Sequence, residues 1–200
     1  MDGTLLQTAD VVPDSFIQTA NACGVDGLNR DDIVKLYSLG VPENMLTQIL
    51  GRKPEQAEMG LFYETLEKNA DDVSVYPEIE DCLEITGKHI PSCVFTGASQ
   101  QSGEILLKAT GLTKYFNLIM GGDDYPPKPD PAGILAAMGL SNATASNTAY
   151  IGDAPTDMKA ALAAGVSAFG AGWGHLYEDG SGDTQMFRSP SELTHYLECD

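Results

Sequence analysis

The chain has 200 residues and a formal net charge of −18, long enough to bury a core without disulfide or metal staples. That much negative charge repels nucleic acid phosphates and anionic membranes, so neither is expected as a partner, and an anionic ligand would need a local cation. No run is apolar enough to span a bilayer, no signal peptide is expected ahead of Asp2-Gly3-Thr4, and Cys23, Cys82, Cys93 and Cys199 show no C-x-x-C or zinc spacing, which together predict a cytoplasmic protein with reduced thiols.

In chain order, the first texture is helical. A helix is predicted from Pro13 to Cys23, with proline in its first turn and Gly24 as its stop. A second follows Asn29, carries Asp31 and Asp32 in its first turn, and ends at Gly40. A third starts near Pro42 and ends before Gly51, and a fourth runs from Pro54 to about Ala70 with Ala57, Leu61 and Leu66 on one face. This block, about residues 8–72, contains no convincing strand. After Val73 helix and strand alternate. Helices are predicted over 77–86, 99–110, 130–138, 156–164 and 191–197, and strands over 92–96, 117–120, 148–151 and 166–169. Short apolar strands separated by helices predict a parallel sheet covered on both faces. Ligands bind such sheets at the carboxyl ends of the strands.

Four patterns fall at those ends. Met1-Asp2-Gly3-Thr4-Leu5 reads alone as a common turn. Thr96, followed by Gly97, is either a phosphate donor or a satisfied cap. Lys128 sits among four prolines in Pro126-Pro127-Lys128-Pro129-Asp130-Pro131, which is otherwise a rigid surface loop. In Gly152-Asp153-Ala154-Pro155-Thr156-Asp157, two carboxylates four residues apart can face one cation, or Asp153 or Thr156 can cap a helix. Trp173 and His175 lie in a glycine-rich loop that either borders a site or packs locally. Arg52 and Lys53 are either a cation pair facing a substrate or a solvated surface pair.

Taken together, the order Asp-Gly-Thr, Thr, Lys-Pro, Gly-Asp-x-x-x-Asp resembles the four motifs of the haloacid dehalogenase superfamily, in its phosphoglycolate phosphatase and β-phosphoglucomutase branch. Val75-Tyr76-Pro77-Glu78 and Ala163-Ala164-Gly165-Val166 add to the match. The resemblance implies a Rossmann-like α/β core (residues 1–7 and 73–200) with an inserted α-helical cap (8–72). It implies hydrolysis of a small phosphorylated metabolite through an aspartyl-phosphate, with Mg²⁺ required. Asp2 matches the general acid/base, and its backbone carbonyl a metal ligand; Thr96 matches the phosphate-binding hydroxyl, and Lys128 the lysine that steadies the phosphoryl group. Asp153 matches a metal ligand and Asp157 a metal-site support, while Gly3 and Gly97 bring backbone amides to the phosphate. A sugar-phosphate mutase and a non-catalytic binding protein are the alternative implications.

One departure stands out. The superfamily pattern is Asp-x-Asp-Gly-Thr, and here x is Met1, so the nucleophile and its central strand are not in this sequence. Four or five buried apolar side chains at about 1.5–3 kcal/mol each make such a strand worth roughly as much as a whole domain's stability. The expectation is an open slot in the sheet and little or no phosphatase activity from the 200 residues alone.

Overall fold

The computed structural model describes residues 1–177 and 184–199. Its first 75 residues make a strand β1 (Leu6–Gln7), helices α1 (Val11–Ala22), α2 (Arg30–Val34), α3 (Pro42–Leu50) and α4 (Gln56–Asn69), and a strand β2 (Ser74–Val75). β1 and β2 pair antiparallel, Leu6 opposite Val75, so the two ends of the helical block are tied to each other. Asn29 caps α2 through its side chain, with Asp32 reaching back, and Gly51 ends α3 at a positive φ of 67°. Both follow from the residue types: short polar side chains accept the orphan amide hydrogens of a first turn, and glycine takes the left-handed stop without a Cβ clash. The helix expected to run on to Gly40 stops at Val34. Its continuation tightens into a 3₁₀ turn, in which Leu36 N–H and Leu39 N–H donate three residues back at 2.9 Å.

The second texture follows as α5 (Ile79–Thr86), β3 (Cys93–Phe95), α6 (Gln100–Ala109), β4 (Leu118–Met120), α7 (Ala132–Leu140), β5 (Ala149–Gly152), α8 (Pro155–Ala164), β6 (Ser167–Ala171), β7 (Gln185–Phe187) and α9 (Pro190–Cys199). The strands are parallel but form two separate ribbons, β3–β4 and β5–β6–β7. A cavity of about 480 Å³ lies where they would join, lined by Val94 and Phe95 of β3, Tyr150 and Ile151 of β5, Ile134 of α7 and Met1 at one end. The Tyr150 hydroxyl reaches across it to donate to the Phe95 carbonyl at 3.0 Å. The expected slot is therefore present, with apolar walls.

Elsewhere packing is tight. Phe16 of α1 and Phe62 of α4 stack with ring centres 4.4 Å apart, and both are almost fully buried. Their cluster continues through Leu66 into Leu106 and Leu107 of α6 and Val94 of β3. The helical block thus shares one apolar core with the sheet region. Cys23, Cys82 and Cys93 are free thiols; the Cys199 side chain lies outside the described set. Among the described residues no helix is long and apolar enough to cross a membrane.

Candidate active site

The ends of β3 and β5 bring the motif residues together from distant parts of the chain. The first six residues fold into a tight turn in which the Met1 carbonyl accepts the amide hydrogens of Thr4, Leu5 and Leu6 at 3.2, 2.8 and 3.2 Å. This turn sets Asp2 beside Thr96, whose hydroxyl donates to Asp2 Oδ2 at 3.4 Å. The amino group of Met1 is buried, which lowers its pKa, and it feels the charges of Asp2, Lys128, Asp157 and Asp153.

Lys128 and Asp157 form one half of the site. The ammonium lies 2.5 Å from Asp157 Oδ1 and donates to the Tyr150 hydroxyl at 3.2 Å. Asp157 Oδ2 accepts from Ala154 N–H at 3.1 Å, closing the first turn of α8. Burial works against the charge on Lys128, but Tyr150 and Asp157 outweigh it and hold the ammonium above its ordinary pKa. Burial also opposes ionisation of Asp157, and Lys128 outweighs it, so that carboxyl sits below the usual range. Burial pushes the Tyr150 phenol up to about 12, which keeps it neutral. In this arrangement each oxygen of Asp157 already holds a donor. Its place is that of a support for Lys128.

Asp153 and Asp2 form the other half. Asp153 is 3% exposed. It accepts from the Thr4 hydroxyl at 3.3 Å and from Leu176 N–H at 3.1 Å. Burial raises its pKa, against the pull of the Met1 amino group. Gly3 has φ of +70°, and a Cβ there would lie 2.0 Å from Asp153 Oδ2. Its amide donates to the Leu6 carbonyl at 3.0 Å. Glycine is thus demanded at position 3 by backbone angle and by room for Asp153, with its N–H already spent inside the turn. Gly97 lies against Lys128, a Cβ there meeting Lys128 Cε at 3.9 Å.

Among the described residues no three His, Cys, Asp or Glu side chains form a ready-made metal cage. Mg²⁺ does not require one, because it usually takes one or two carboxylates and completes its shell with water and substrate phosphate. The Asp153 carboxylate fits: it is buried, held by one hydroxyl and one amide, and ionises reluctantly as a result.

Several contributors were not assigned from the sequence. Tyr150 reads as an ordinary apolar strand residue, and its hydroxyl bonds show only in three dimensions. The Trp173 indole N–H donates to the Thr4 carbonyl at 2.9 Å, and a Cβ on Gly174 would lie 2.2 Å from Asp153 Cβ, so the glycine-rich loop wraps the Asp153 end. His175 Nδ1 lies 3.3 Å from the Tyr76 hydroxyl. Tyr37 of the helical block is held protonated by burial and by the nearby Asp2 charge. Arg52 and Lys53 are surface partners of Glu58 and Glu43 at 2.6 and 2.7 Å.

A second cavity of about 230 Å³ opens over Gly97 and Lys128, between the start of α3 and the loop after β4. The helical block closes it from above, anchored by the Tyr63 hydroxyl donating to Ser99 Oγ at 3.1 Å.

The chain is 28% identical to a phosphoglycolate phosphatase of Photorhabdus laumondii, over 88% of its own length and 80% of that protein's. The structure of CbbY from Rhodobacter sphaeroides in complex with phosphate superposes with a TM-score of 0.83 at 20% identity, covering 96% of this chain and 93% of that one. A putative β-phosphoglucomutase from Thermotoga maritima gives 0.70 at 23% identity, covering 99% and 95%. At that identity the structures speak for the fold. The family model described as haloacid dehalogenase-like hydrolase matches residues 1–171, and this chain belongs to that family.

Proposed function

We propose that the site serves a phosphatase acting on a small phosphorylated metabolite, with Mg²⁺ as cofactor. Held by the Asp153 carboxylate and the Asp2 backbone carbonyl, the cation would supply the positive charge that lets a carboxylate approach a phosphoryl group. The rest is the work of the chain's own side chains. Lys128, Thr96 and the Gly97 backbone hold and neutralise the phosphoryl oxygens. Lys128 stays charged at every physiological pH because Asp157 and Tyr150 grip it. Asp2 gives a proton to the departing alcohol oxygen and then takes one from the water that opens the aspartyl-phosphate. The helical block, closing over Gly97 and Lys128, excludes bulk water during transfer, and its paired ends at β1 and β2 act as the hinge.

The nucleophile of this reading is an aspartate joined directly to Met1. The observation that supports it is the turn of residues 1–6, which sets Asp2 against Thr96 at 3.4 Å and Thr4 against Asp153 at 3.3 Å and leaves Met1 lining the cavity between β3 and β5. An apolar strand leading to that aspartate would occupy the cavity between β3 and β5. The 200 residues alone are then expected to hydrolyse an aryl phosphate hardly at all.

The test is an N-terminal extension of about five apolar residues, an ordinary strand length, ending in Asp or in Asn. With Mg²⁺ and p-nitrophenyl phosphate, the Asp extension should turn over while the Asn extension and the 200-residue chain stay near background. Robust turnover by the unextended chain, or none by a well-folded Asp extension, would refute the proposal.

A further inference from the structure

The 230 Å³ cavity above Lys128 is where the alcohol portion of a phosphate ester bound at Gly97 and Lys128 would lie. Its walls are Glu43 and Asn44 of α3 on one side and Asp123 and Tyr125 on the other. Lys128 is the sole cation among the described residues lining it, and Asp157 already holds that ammonium at 2.5 Å. Four cations of the helical block are committed elsewhere, Arg30 to Asp10 and Asp14, Lys35 to Asp32, Arg52 to Glu58 and Lys53 to Glu43, and the fifth, Lys68, is not part of the lining. Lys53 has 80% of its side chain in solvent and is not part of the lining. A second anionic group on the substrate would therefore find no uncommitted cation in the lining, only two carboxylates, Glu43 paired with Lys53 and Asp123 accepting from the Gln100 amide at 2.6 Å. Like charges at such range repel strongly once water is displaced.

We propose that the substrate is a small phosphate monoester whose alcohol portion carries no negative charge, a phosphorylated polyol or amino alcohol, selected against carboxylates and bisphosphates by Glu43 and Asp123. This rests on the phosphatase reading of the same site. It separates the chain from the phosphoglycolate phosphatases it resembles in sequence, and it disfavours a mutase, which needs a second phosphate site. Asn44 is the position where one substitution would reverse the preference. Its amide donates to the Leu39 carbonyl at 2.9 Å at the start of α3, on the cavity wall, where a longer cationic side chain can enter.

The experiment measures binding, so that it does not depend on a nucleophile. The 200-residue chain, with saturating Mg²⁺, is titrated calorimetrically with inorganic phosphate, glycerol 1-phosphate and phosphoglycolate, and Asn44→Lys is titrated in parallel. Glycerol 1-phosphate should bind at least tenfold tighter than phosphoglycolate, and Asn44→Lys should narrow that ratio at least tenfold. Phosphate binding together with equal or tighter binding of phosphoglycolate would overturn this inference and leave the phosphatase reading standing. Failure of all three ligands, phosphate included, would overturn both.

Discussion

Asp153 and Asp157 stand four residues apart at one strand-to-helix junction, and the fold treats them in opposite ways. Asp157 meets a lysine and a backbone amide, and its carboxyl is held below the usual range. Asp153 is equally buried but has a hydroxyl and an amide for company, and burial pushes its carboxyl up. One half of the site is electrostatically complete in the polypeptide itself. In the other half, burial leaves the Asp153 carboxylate under-compensated by the chain's own atoms. On the proposed reading, the contrast separates a fixed lysine from the place of an exchangeable cation.

The strongest way to break this contrast is to remove the permanent cation. Lys128→Met leaves Asp157 buried without a counter-charge, and losing one partner of a buried pair costs about 3–5 kcal/mol. Urea denaturation of the chain should show that loss, and the double variant Lys128→Met/Asp157→Leu should recover most of it. A single variant as stable as the parent would mean the two charges are not truly locked together.

Gly3→Ala attacks the other half. It forces an alanine into a left-handed backbone, a cost of about 1–2 kcal/mol, and drives a methyl into Asp153, so thermal melting should fall by several degrees. Asp153→Asn should do the reverse. Removing a reluctant charge ought to stabilise the metal-free chain, raising Tm by about 2–4 °C if the relief is near 1 kcal/mol. A drop in Tm would show that Asp153 is better compensated than its surroundings suggest.

The smallest effect is a pH signature, and the two carboxylates have opposite signs. The folded-state pKa of Asp157 is depressed, so its contribution is present above the ordinary aspartate value of about 3.9 and is lost as pH falls through the depressed value. The folded-state pKa of Asp153 is raised. The fold then favours its protonated form, and a penalty develops as pH rises from the ordinary value through the raised one. Melting curves of the metal-free chain and of Asp153→Asn, subtracted across pH 3 to 8, isolate that second term from the other carboxylates. The difference should grow with pH and then level off. A flat difference would place the Asp153 pKa at its ordinary value.

Much of this was legible in the sequence, and the reasons are local. Proline at the start and glycine at the stop bound α3 as expected, and the apolar runs before Thr96 and Asp153 became β3 and β5. Such signals act over a few residues, where backbone sterics decide. The two-residue strands β1 and β2 and the three-residue β7 passed unseen because they are too short to show alternation. Tyr150, Trp173 and Leu176 escaped for another reason: their partners are Phe95, Thr4 and Asp153, tens of residues or more away. The approach of Asp2 to Thr96 and of Thr4 to Asp153 likewise depends on the fold. The cavity between β3 and β5 agrees with the slot expected from the sequence.

The account depends most on Asp2 and Asp153 forming a divalent-cation site. The direct measurement is a calorimetric Mg²⁺ titration of the 200-residue chain beside Asp153→Asn and Glu43→Gln. One saturable site is predicted in the parent and in Glu43→Gln, and none in Asp153→Asn. Binding that survives in Asp153→Asn, or is missing from the parent, would contradict it.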